Sequence, residues 1–210
     1  MRRYSGRMSS HSFIKANLDL VPAPGVPEIA LYRAHPRSGL SRLLGEDGVQ
    51  PYWAYGWAGG TVLARYLLDH SDVVAGRQVL DLGTGSGIAA IAAAKGGAKV
   101  TAVDIDPHAI AAAGLNAQAN GVSMALICQD LLDGPAPDTD LILVSDLFYD
   151  KATALRLTAF LKRCDADILV GDPGRAYLPH KHLSQIAQYD VPDFGVGHTG
   201  KPSAVYRFQK

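Results

Sequence analysis

The sequence has little cysteine and no spacing typical of a metal site. Its two cysteines, Cys128 and Cys164, stand far apart, and the seven histidines form no ligand pattern. A disulfide-stabilised secreted domain and a zinc module are therefore disfavoured, and no metal is expected. Cys128 lies in an apolar strand signal and Cys164 at a predicted helix end. We expect both to be reduced thiols in or near the core of a cytoplasmic protein.

The chain also lacks an excess of charge and a long apolar run. Lys and Arg number 20, and Asp and Glu number 20. A neutral chain has no general field to hold nucleic acid, which disfavours a nucleic-acid-binding function. Because no run of about 18 apolar residues occurs, no membrane span is expected. The 210 residues suffice for one α/β domain with a short extension.

Residues 1–50 are predicted to form an N-terminal extension ahead of a domain at 51–210. The start of the chain is basic and holds no acid, as in a transit-type segment or an unstructured leader. We expect disorder over 1–12. Three prolines within 13–34 exclude a long helix there and favour extended chain that wraps the core.

Aromatic residues concentrate just before a predicted helix that ends near Asp69. Both tryptophans, Trp53 and Trp57, lie there together with Tyr52 and Tyr55. Two interpretations remain open. The rings form either an aromatic plug in the core or a wall of a ligand cleft, and both can hold for different rings.

The stretch at 79–87 reads V-L-D-L-G-T-G-S-G, an apolar strand signal followed by an acid and three alternate glycines. A helical run starts at Ile88. This order is typical of the entry to a nucleotide-binding α/β sheet. The dinucleotide fingerprint G-x-G-x-x-G would require glycine at 88, so a pyrophosphate ligand is disfavoured. The pattern favours S-adenosylmethionine, whose ammonium group Asp81 would bind directly or through water.

Acidic side chains follow four successive strand signals, at Asp104, Asp130, Asp146 and Asp172. Strands that alternate with helices predict a mostly parallel sheet covered on both faces. Ligands bind at the carboxyl ends of such strands. We therefore expect most of these acids to line one cleft. Asp104 stands about twenty positions after Gly83, which suits an acid that binds ribose hydroxyls.

Three motifs together resemble class I S-adenosylmethionine-dependent methyltransferases: V-L-D-L-G-T-G-S-G, A-V-D-I-D-P-H-A-I and N-A-Q-A-N-G-V. The stretches at 51–60, 146–149 and 171–179 narrow the resemblance. With F-I-K-A-N and V-P-E-I near the start, they resemble the bacterial lysine methyltransferases that act on the electron-transfer flavoprotein β subunit. The resemblance covers about 13–208. It implies an α/β, seven-stranded Rossmann-like methyltransferase fold, with a mostly parallel sheet of order 3-2-1-4-5-7-6 and an antiparallel last strand.

Seven residues are expected to contact the cofactor, S-adenosylmethionine. The two glycines would lie beside its methionine part, Asp104 on the ribose and Asp130 near the adenine amino group. The full set is Trp57, Asp81, Gly83, Gly85, Asp104, Ile105 and Asp130.

The resemblance implies that Asp146 and Tyr149 of the D-x-x-Y stretch serve lysine binding and catalysis. We expect Asp146 to orient the amine rather than to act as a strong base. Phe148, Asp172 and Arg175 are expected at the substrate mouth. Alternatives stay open: Phe148 as a core residue, and the residues at 172–175 as a structural Asp-Pro-Gly turn.

The leading hypothesis is therefore methyl transfer to a lysine of the electron-transfer flavoprotein β subunit. A methyltransferase acting on a ribosomal protein or a small amine is the first alternative. A non-catalytic binding module on the same fold is the second. The Asn-Pro-Pro-aromatic motif of amide and aminopurine methyltransferases is absent after the fourth strand, where Ser145 begins S-D-L-F. Planar amide chemistry is thus disfavoured.

Overall fold

A seven-stranded sheet is the centre of the fold in the computed structural model, which describes residues 9–44, 50–193 and 200–210. Short 3-10 turns connect some elements, at Tyr52–Ala54, Ser71–Val73 and His180–His182. In chain order the helices and strands are α1 (Ser10–Asn17), β1 (Asp19–Ala23), β2 (Val26–Arg33), α2 (Ser41–Leu44), α3 (Ala58–Asp69), β3 (Gln78–Leu82), α4 (Ile88–Lys95), β4 (Lys99–Asp104), α5 (Pro107–Ala119), β5 (Ala125–Cys128), β6 (Leu141–Ser145), α6 (Lys151–Arg163), β7 (Asp167–Asp172), β8 (Leu183–Val191) and β9 (Lys201–Phe208).

The sheet has the strand order that the resemblance implies. Its strands lie in the order β5-β4-β3-β6-β7-β9-β8, which is 3-2-1-4-5-7-6 when the seven are numbered along the chain. β3 is parallel to β4 and β6, whereas β9 is antiparallel to β7 and β8. The prediction of a mostly parallel α/β fold is confirmed. Because the parallel strands end at the same edge, the loops that follow them converge there.

The central strands are covered on both faces because successive side chains point to opposite sides of the sheet. On one face Val79 and Leu141 pack in a cluster with α3 and α4. On the other face Leu80 and Ile142 pack in a cluster with α6. Such near-continuous apolar runs are typical of strands buried on both sides. The layers hold the carboxyl edge of the sheet in a fixed position.

Helix α1 and the hairpin of β1 and β2 belong to the packed structure. Ile14 is fully buried in a cluster with Leu115 of α5. The prediction of disorder over 1–12 is wrong for residues 10–12. They form the first turn of α1, because the Ser9 side chain accepts a hydrogen bond from Ser12 N and caps the helix. Residues 1–8 lie outside the described residues.

Asn116 of α5 and Asn120 at the C-cap of that helix bond to the backbone of strand β2 as a neighbouring strand would. Asn116 Oδ1 accepts a hydrogen bond from Tyr32 N at 2.8 Å. Asn120 Oδ1 accepts from Ala30 N at 3.0 Å, and its amide donates to Ala30 O at 2.7 Å. Asn116 Nδ2 also donates to Ser86 O at 2.8 Å. Through Asn116 the hairpin is therefore tied to the glycine turn after β3.

Two smaller expectations are corrected. The sequence at 178–184 predicts a weak helix, whereas the structure has a single 3-10 turn there, because β8 already begins at Leu183. Cys128 is exposed rather than in or near the core, because β5 is an edge strand of the sheet. Cys164 is buried as predicted, and its Sγ donates to Phe160 O at 3.3 Å.

Glycine allows α3 to approach β7 closely. A Cβ at Gly59 would lie 2.3 Å from the carbonyl oxygen of Gly171 and 2.5 Å from Asp146 Oδ2. A Cβ at Gly171 would lie 2.3 Å from the carbonyl oxygen of Gly59. Both distances are far inside van der Waals contact. The close approach therefore excludes a side chain at either position.

We predict that Gly59→Ala lowers the free energy of unfolding by about 1–3 kcal/mol, because backbone has to move to admit the methyl group. The measurement is urea denaturation at constant pH. Gly114→Ala in α5 is the matched control. Its Cβ would meet only the end of the Leu126 side chain, at 2.9 Å, and that side chain is partly exposed and can turn away. Equal effects of the two substitutions would contradict the close-approach explanation.

Candidate active site

Acidic side chains meet at the carboxyl edge of the sheet. Asp104 ends β4, Asp146 follows β6 directly, and Asp172 ends β7. Asp130 follows β5 at the border of the sheet, where its carboxylate pairs with Arg156 at 2.9 Å and the side chain is 45% exposed. At this edge Asp104 therefore lies beside the glycine turn, and Asp146 and Asp172 lie at the ends of β6 and β7. Asp130 stands apart from them at the border of the sheet.

The glycine turn after β3 presents open backbone to this edge. Gly83, Gly85 and Gly87 all have positive φ, at 71°, 52° and 83°. Gly83 N donates to Val103 O at 2.9 Å and fixes the turn against β4. A Cβ at Gly85 would find only the Cα of Trp53, at 4.0 Å. The backbone at Gly85 is thus accessible to a ligand at close range.

Asp81 lies behind the turn and is fully buried. Its Oδ2 accepts a hydrogen bond from Thr84 Oγ1 at 2.6 Å. Its Oδ1 has no hydrogen-bond partner in the part of the chain that the structure describes. Burial raises the pKa of Asp81 to about 6, against the opposing effect of the Thr84 hydrogen bond. At neutral pH a buried carboxylate with an unpaired oxygen favours a cation on the open side of the turn.

Asp104 lies between the glycine turn and the start of α5. Its Oδ2 accepts from Gly85 N at 2.9 Å and its Oδ1 from Asp106 N at 3.0 Å. Burial raises the pKa of Asp104 above its ordinary value. A carboxylate has about four acceptor positions, so two remain for hydroxyl donors. Ile105, the next residue, is 72% exposed and offers an apolar surface at the rim.

Asp146 caps helix α3 from a distant part of the chain. Trp57, the N-cap residue, supplies no side-chain cap. Instead Asp146 Oδ2 accepts from Gly59 N at 2.5 Å and from Gly60 N at 3.3 Å. The backbone of Asp146 has φ 54°, which non-glycine residues rarely adopt. Burial raises the pKa of Asp146 to about 6, although the Arg175 guanidinium acts in the opposite direction.

Arg175 joins the two carboxylates that serve α3. It lies 2.7 Å from Asp146 Oδ1 and 3.3 Å from Asp193 Oδ1. Asp193 Oδ1 in turn accepts from Ala58 N at 3.1 Å. The guanidinium also lies over the Trp57 ring, 5.7 Å from its centre. The carboxyl edge therefore carries a guanidinium that pairs with two acids and lies over an aromatic ring. The region between the glycine turn and Arg175 at this edge is called the cleft below.

Two residues expected at the substrate mouth have no exposed surface. Phe148 is fully buried in the core cluster with α6. Asp172 is fully buried, and its Oδ1 accepts from Gly174 N and Arg175 N at 2.7 and 2.6 Å. The prediction that these two side chains contact the substrate directly is therefore corrected. Phe148 is a core residue, and Asp172 belongs to a structural turn. Asp172 acts by holding the turn that presents Arg175.

Three aromatic rings, those of Tyr52, Trp57 and Tyr149, form a wall at this edge of the sheet. The Tyr52 ring lies 5.7 Å from the Trp57 ring and 6.0 Å from the Tyr149 ring. Tyr52 is 49% exposed and Tyr149 53% exposed. Trp53, by contrast, is a buried core residue. Trp53 is therefore the core ring of the aromatic stretch, and the ligand-wall interpretation stays a prediction for Tyr52 and Trp57.

Two features of the cleft carry no signal in the sequence. Asp193 stands in an irregular segment without a motif, yet it caps α3. Arg33 lies at the end of β2 and belongs to no motif used above, yet its guanidinium lies beside the loop at Gly56. These two side chains reach the site only in the folded chain, so no local sequence pattern predicts their positions.

The structure describes residues 9–44, 50–193 and 200–210. Within these ranges no cluster of three or more His, Cys, Asp or Glu side chains is arranged to hold a metal ion. Within the same ranges no helix has the length and apolar character needed to cross a membrane.

Comparison with known proteins gives a consistent result. A profile of the family described as "Ribosomal protein L11 methyltransferase (PrmA)" matches residues 56–148. The electron transfer flavoprotein beta subunit lysine methyltransferase of Xenopus laevis is 40% identical over 194 residues, covering 87% of this chain and 79% of the relative. That of Danio rerio is 42% identical over 153 residues, covering 68% and 59%. This chain thus spans about three fifths of the length of the Danio rerio relative.

Solved structures show the same fold. A ribosomal protein L11 methylase from Lactobacillus delbrueckii subsp. bulgaricus superposes with a TM-score of 0.54 and 26% sequence identity. The match covers 74% of this chain and 81% of that chain. The profile match extends across the glycine turn, Asp104, Asp130 and Asp146.

We predict that Asp81→Asn raises the free energy of unfolding at pH 7.5 by about 1–3 kcal/mol, because a buried unpaired charge is removed. In the parent protein the unfolded carboxyl loses its proton near pH 3.9, whereas the folded one keeps it up to about pH 6. Unfolding then releases a proton, so stability falls as pH rises through this window.

The check is urea denaturation from pH 4 to 7.5. The Asp81→Asn protein should show a smaller decrease of stability over this range than the parent. Thr84→Val removes the hydrogen bond but keeps the carboxylate, and it should lower stability. An Asp81→Asn protein less stable than the parent at pH 7.5 would contradict this account.

Proposed function

The chain belongs to the electron transfer flavoprotein beta subunit lysine methyltransferase family, and we propose that it transfers a methyl group from S-adenosylmethionine to a lysine of that subunit. The similarity to the Xenopus laevis relative over most of both chains carries the proposal. The two free cysteines suit action in a reducing compartment, the cytoplasm.

The residues at the glycine turn fit S-adenosylmethionine. Open backbone at Gly85 would admit the methionine part without a side-chain clash, and Gly83 supplies the positive φ that the turn requires. The free acceptor positions of Asp104 suit ribose hydroxyls. Asp81 has no exposed surface, so it would attract the ammonium group through the turn or a water rather than by direct contact.

The rim residues suit the rest of the cofactor. Ile105 offers an exposed apolar surface to the adenine ring. Asp130 would reach the adenine amino group only by sharing its carboxylate with Arg156. Trp57, whose ring lies 5.7 Å from the Tyr52 ring, would cover the bound molecule. When bound, S-adenosylmethionine supplies a methyl group on a positively charged sulfur, already activated toward an amine.

The acceptor lysine would enter along the aromatic wall. Tyr52 and Tyr149 present exposed ring faces that suit the apolar stem and the cationic head of a lysine. Asp146, whose side chain is 13% exposed, would orient the amine. Its Oδ1 already pairs with Arg175, so the amine would use a remaining acceptor position of the carboxylate. Alignment of two reactants is the main contribution a protein makes to such a transfer.

The amine must be neutral to react, although the pKa of a free lysine is near 10.4. Asp146 alone would hold the ammonium form and raise that pKa. Arg175, only 2.7 Å from Asp146, offsets this negative charge. Partial desolvation between the rings acts in the same direction. We therefore assign Asp146 to orientation and Arg175 to the charge balance around the amine.

A ribosomal protein is the second candidate acceptor. The L11 methyltransferase profile and the Lactobacillus structure favour it. The profile match ends at 148, before Tyr149 and the turn with Arg175, so it supports the cofactor half rather than the acceptor half. The intact glycine turn and Asp104 oppose a non-catalytic binding module.

Labelled S-adenosylmethionine, purified electron transfer flavoprotein and purified ribosomal protein L11 distinguish the candidates. We expect label on the flavoprotein β subunit and none on L11. Label on L11 alone would favour the second candidate, and failure to bind the cofactor would favour the binding module.

We predict that Asp146→Asn lowers the rate of methyl transfer by about 100-fold or more while cofactor affinity stays within about threefold. The amide oxygen still caps α3, but the charge beside the amine is lost. Rates come from label incorporation and affinities from calorimetry. Asp133→Asn, an exposed acid paired with Arg156, is the control. A parent-like rate for Asp146→Asn would reject the assigned role.

A further inference from the structure

One arginine beside the cleft has no acidic partner. Arg33 ends β2, and in the described part of the chain it forms no ion pair within 4.0 Å. Its Nε is buried without a hydrogen-bond partner. Asp19 stands directly opposite in the hairpin register, yet the two do not pair. The other arginines with buried or half-buried guanidinium groups bind carboxylates or carbonyl oxygens.

The guanidinium of Arg33 faces the aromatic loop that borders the cleft. Nη2, Nε and Cζ lie 3.7, 3.9 and 4.0 Å from the position that a Cβ on Gly56 would take. Gly56 has no side chain, so the loop leaves space beside the guanidinium. A larger residue there would occupy the position a ligand needs.

Hydrogen bonds on both sides fix Arg33 relative to the glycine turn. Ala34 N donates to Ala54 O at 2.9 Å, which ties the strand end to the aromatic loop. Tyr32 N donates to Asn116, and Asn116 donates to Ser86 O within the turn. The backbone on both sides of Arg33 is therefore tied to the aromatic loop and, through Asn116, to the glycine turn.

The electrostatic state of Arg33 favours an anion. Burial lowers the pKa of Arg33, and among the described residues no carboxylate offsets that effect. Arginine remains charged at neutral pH in spite of such a shift. The buried Nε lacks a hydrogen-bond partner in the described residues, and the planar fork of a guanidinium matches a carboxylate.

We propose that Arg33, with the space left at Gly56, forms a carboxylate-binding site at the border of the cleft. The carboxylate comes either from the amino-acid end of the cofactor or from an acidic side chain of the protein substrate. The inference rests on the proposed function, since both sources are ligands of that reaction. If Arg33 binds the carboxylate, the hairpin of β1 and β2 also takes part in binding the cofactor or the protein substrate.

Calorimetry with two nucleoside ligands tests the first source. S-adenosylhomocysteine carries the carboxylate, whereas 5′-methylthioadenosine lacks the amino-acid end. For Arg33→Gln we expect the affinity for S-adenosylhomocysteine to fall by roughly 10- to 100-fold, with an unchanged affinity for 5′-methylthioadenosine. Arg33→Lys keeps the charge but not the fork and should lose less. Arg37→Gln, an exposed arginine of the same segment, is the control and should bind both ligands like the parent.

The KM for electron transfer flavoprotein tests the second source. A rise of tenfold or more in Arg33→Gln, with parent-like affinity for S-adenosylhomocysteine, would assign the site to the protein substrate. Parent-like affinity and parent-like KM in both Arg33 variants would overturn the inference alone. A parent protein that binds no S-adenosylhomocysteine and methylates no protein would overturn the proposed function and this inference together. If Arg33→Gln does not fold, Arg33→Lys decides by the same criteria.

Discussion

The carboxylate of Asp146 holds together the parts that build the cleft. It caps the first turn of α3, whose own N-cap residue, Trp57, makes no capping hydrogen bond with its side chain. It also pairs with Arg175 from the turn after β7. The backbone N–H groups at a helix start attract negative charge. The close contact of Gly59 with Gly171 lets the helix reach that charge. The position of the aromatic wall follows from this contact, since α3 begins directly after Trp57.

A second carboxylate shows how stability is traded against binding. Asp81 is buried behind the glycine turn with one unpaired oxygen, an arrangement that costs folding free energy at neutral pH. The same charge attracts a cationic ligand to the open side of the turn. Asn116 steadies the turn from behind by binding Ser86 and the hairpin together. Asp81 therefore destabilises the ligand-free fold and also lies at the proposed binding site, a combination that is common at functional sites.

The sequence predicts much of the fold because its signals there are local. Apolar runs, helical spacing and the glycine pattern give the strands and helices from 78 to 172, and the resemblance gives the strand order. The errors have physical reasons: residues 10–12 are ordered by a serine cap, and Cys128 is exposed on an edge strand. In the cleft, the cap by Asp193 and the unpaired Arg33 could not be predicted, because each depends on segments that meet only in the folded chain. Phe148 looks like part of a motif, but burial assigns it to the core.

The central claim is that this cleft joins a methyl donor to a lysine of the electron transfer flavoprotein β subunit. Mass spectrometry of that subunit, isolated from cells with and without the gene, tests the claim most directly. The account predicts methylated lysine in the first sample and unmodified lysine at the same positions in the second. Identical β subunits in the two samples, with a methyl difference on another protein, would contradict it.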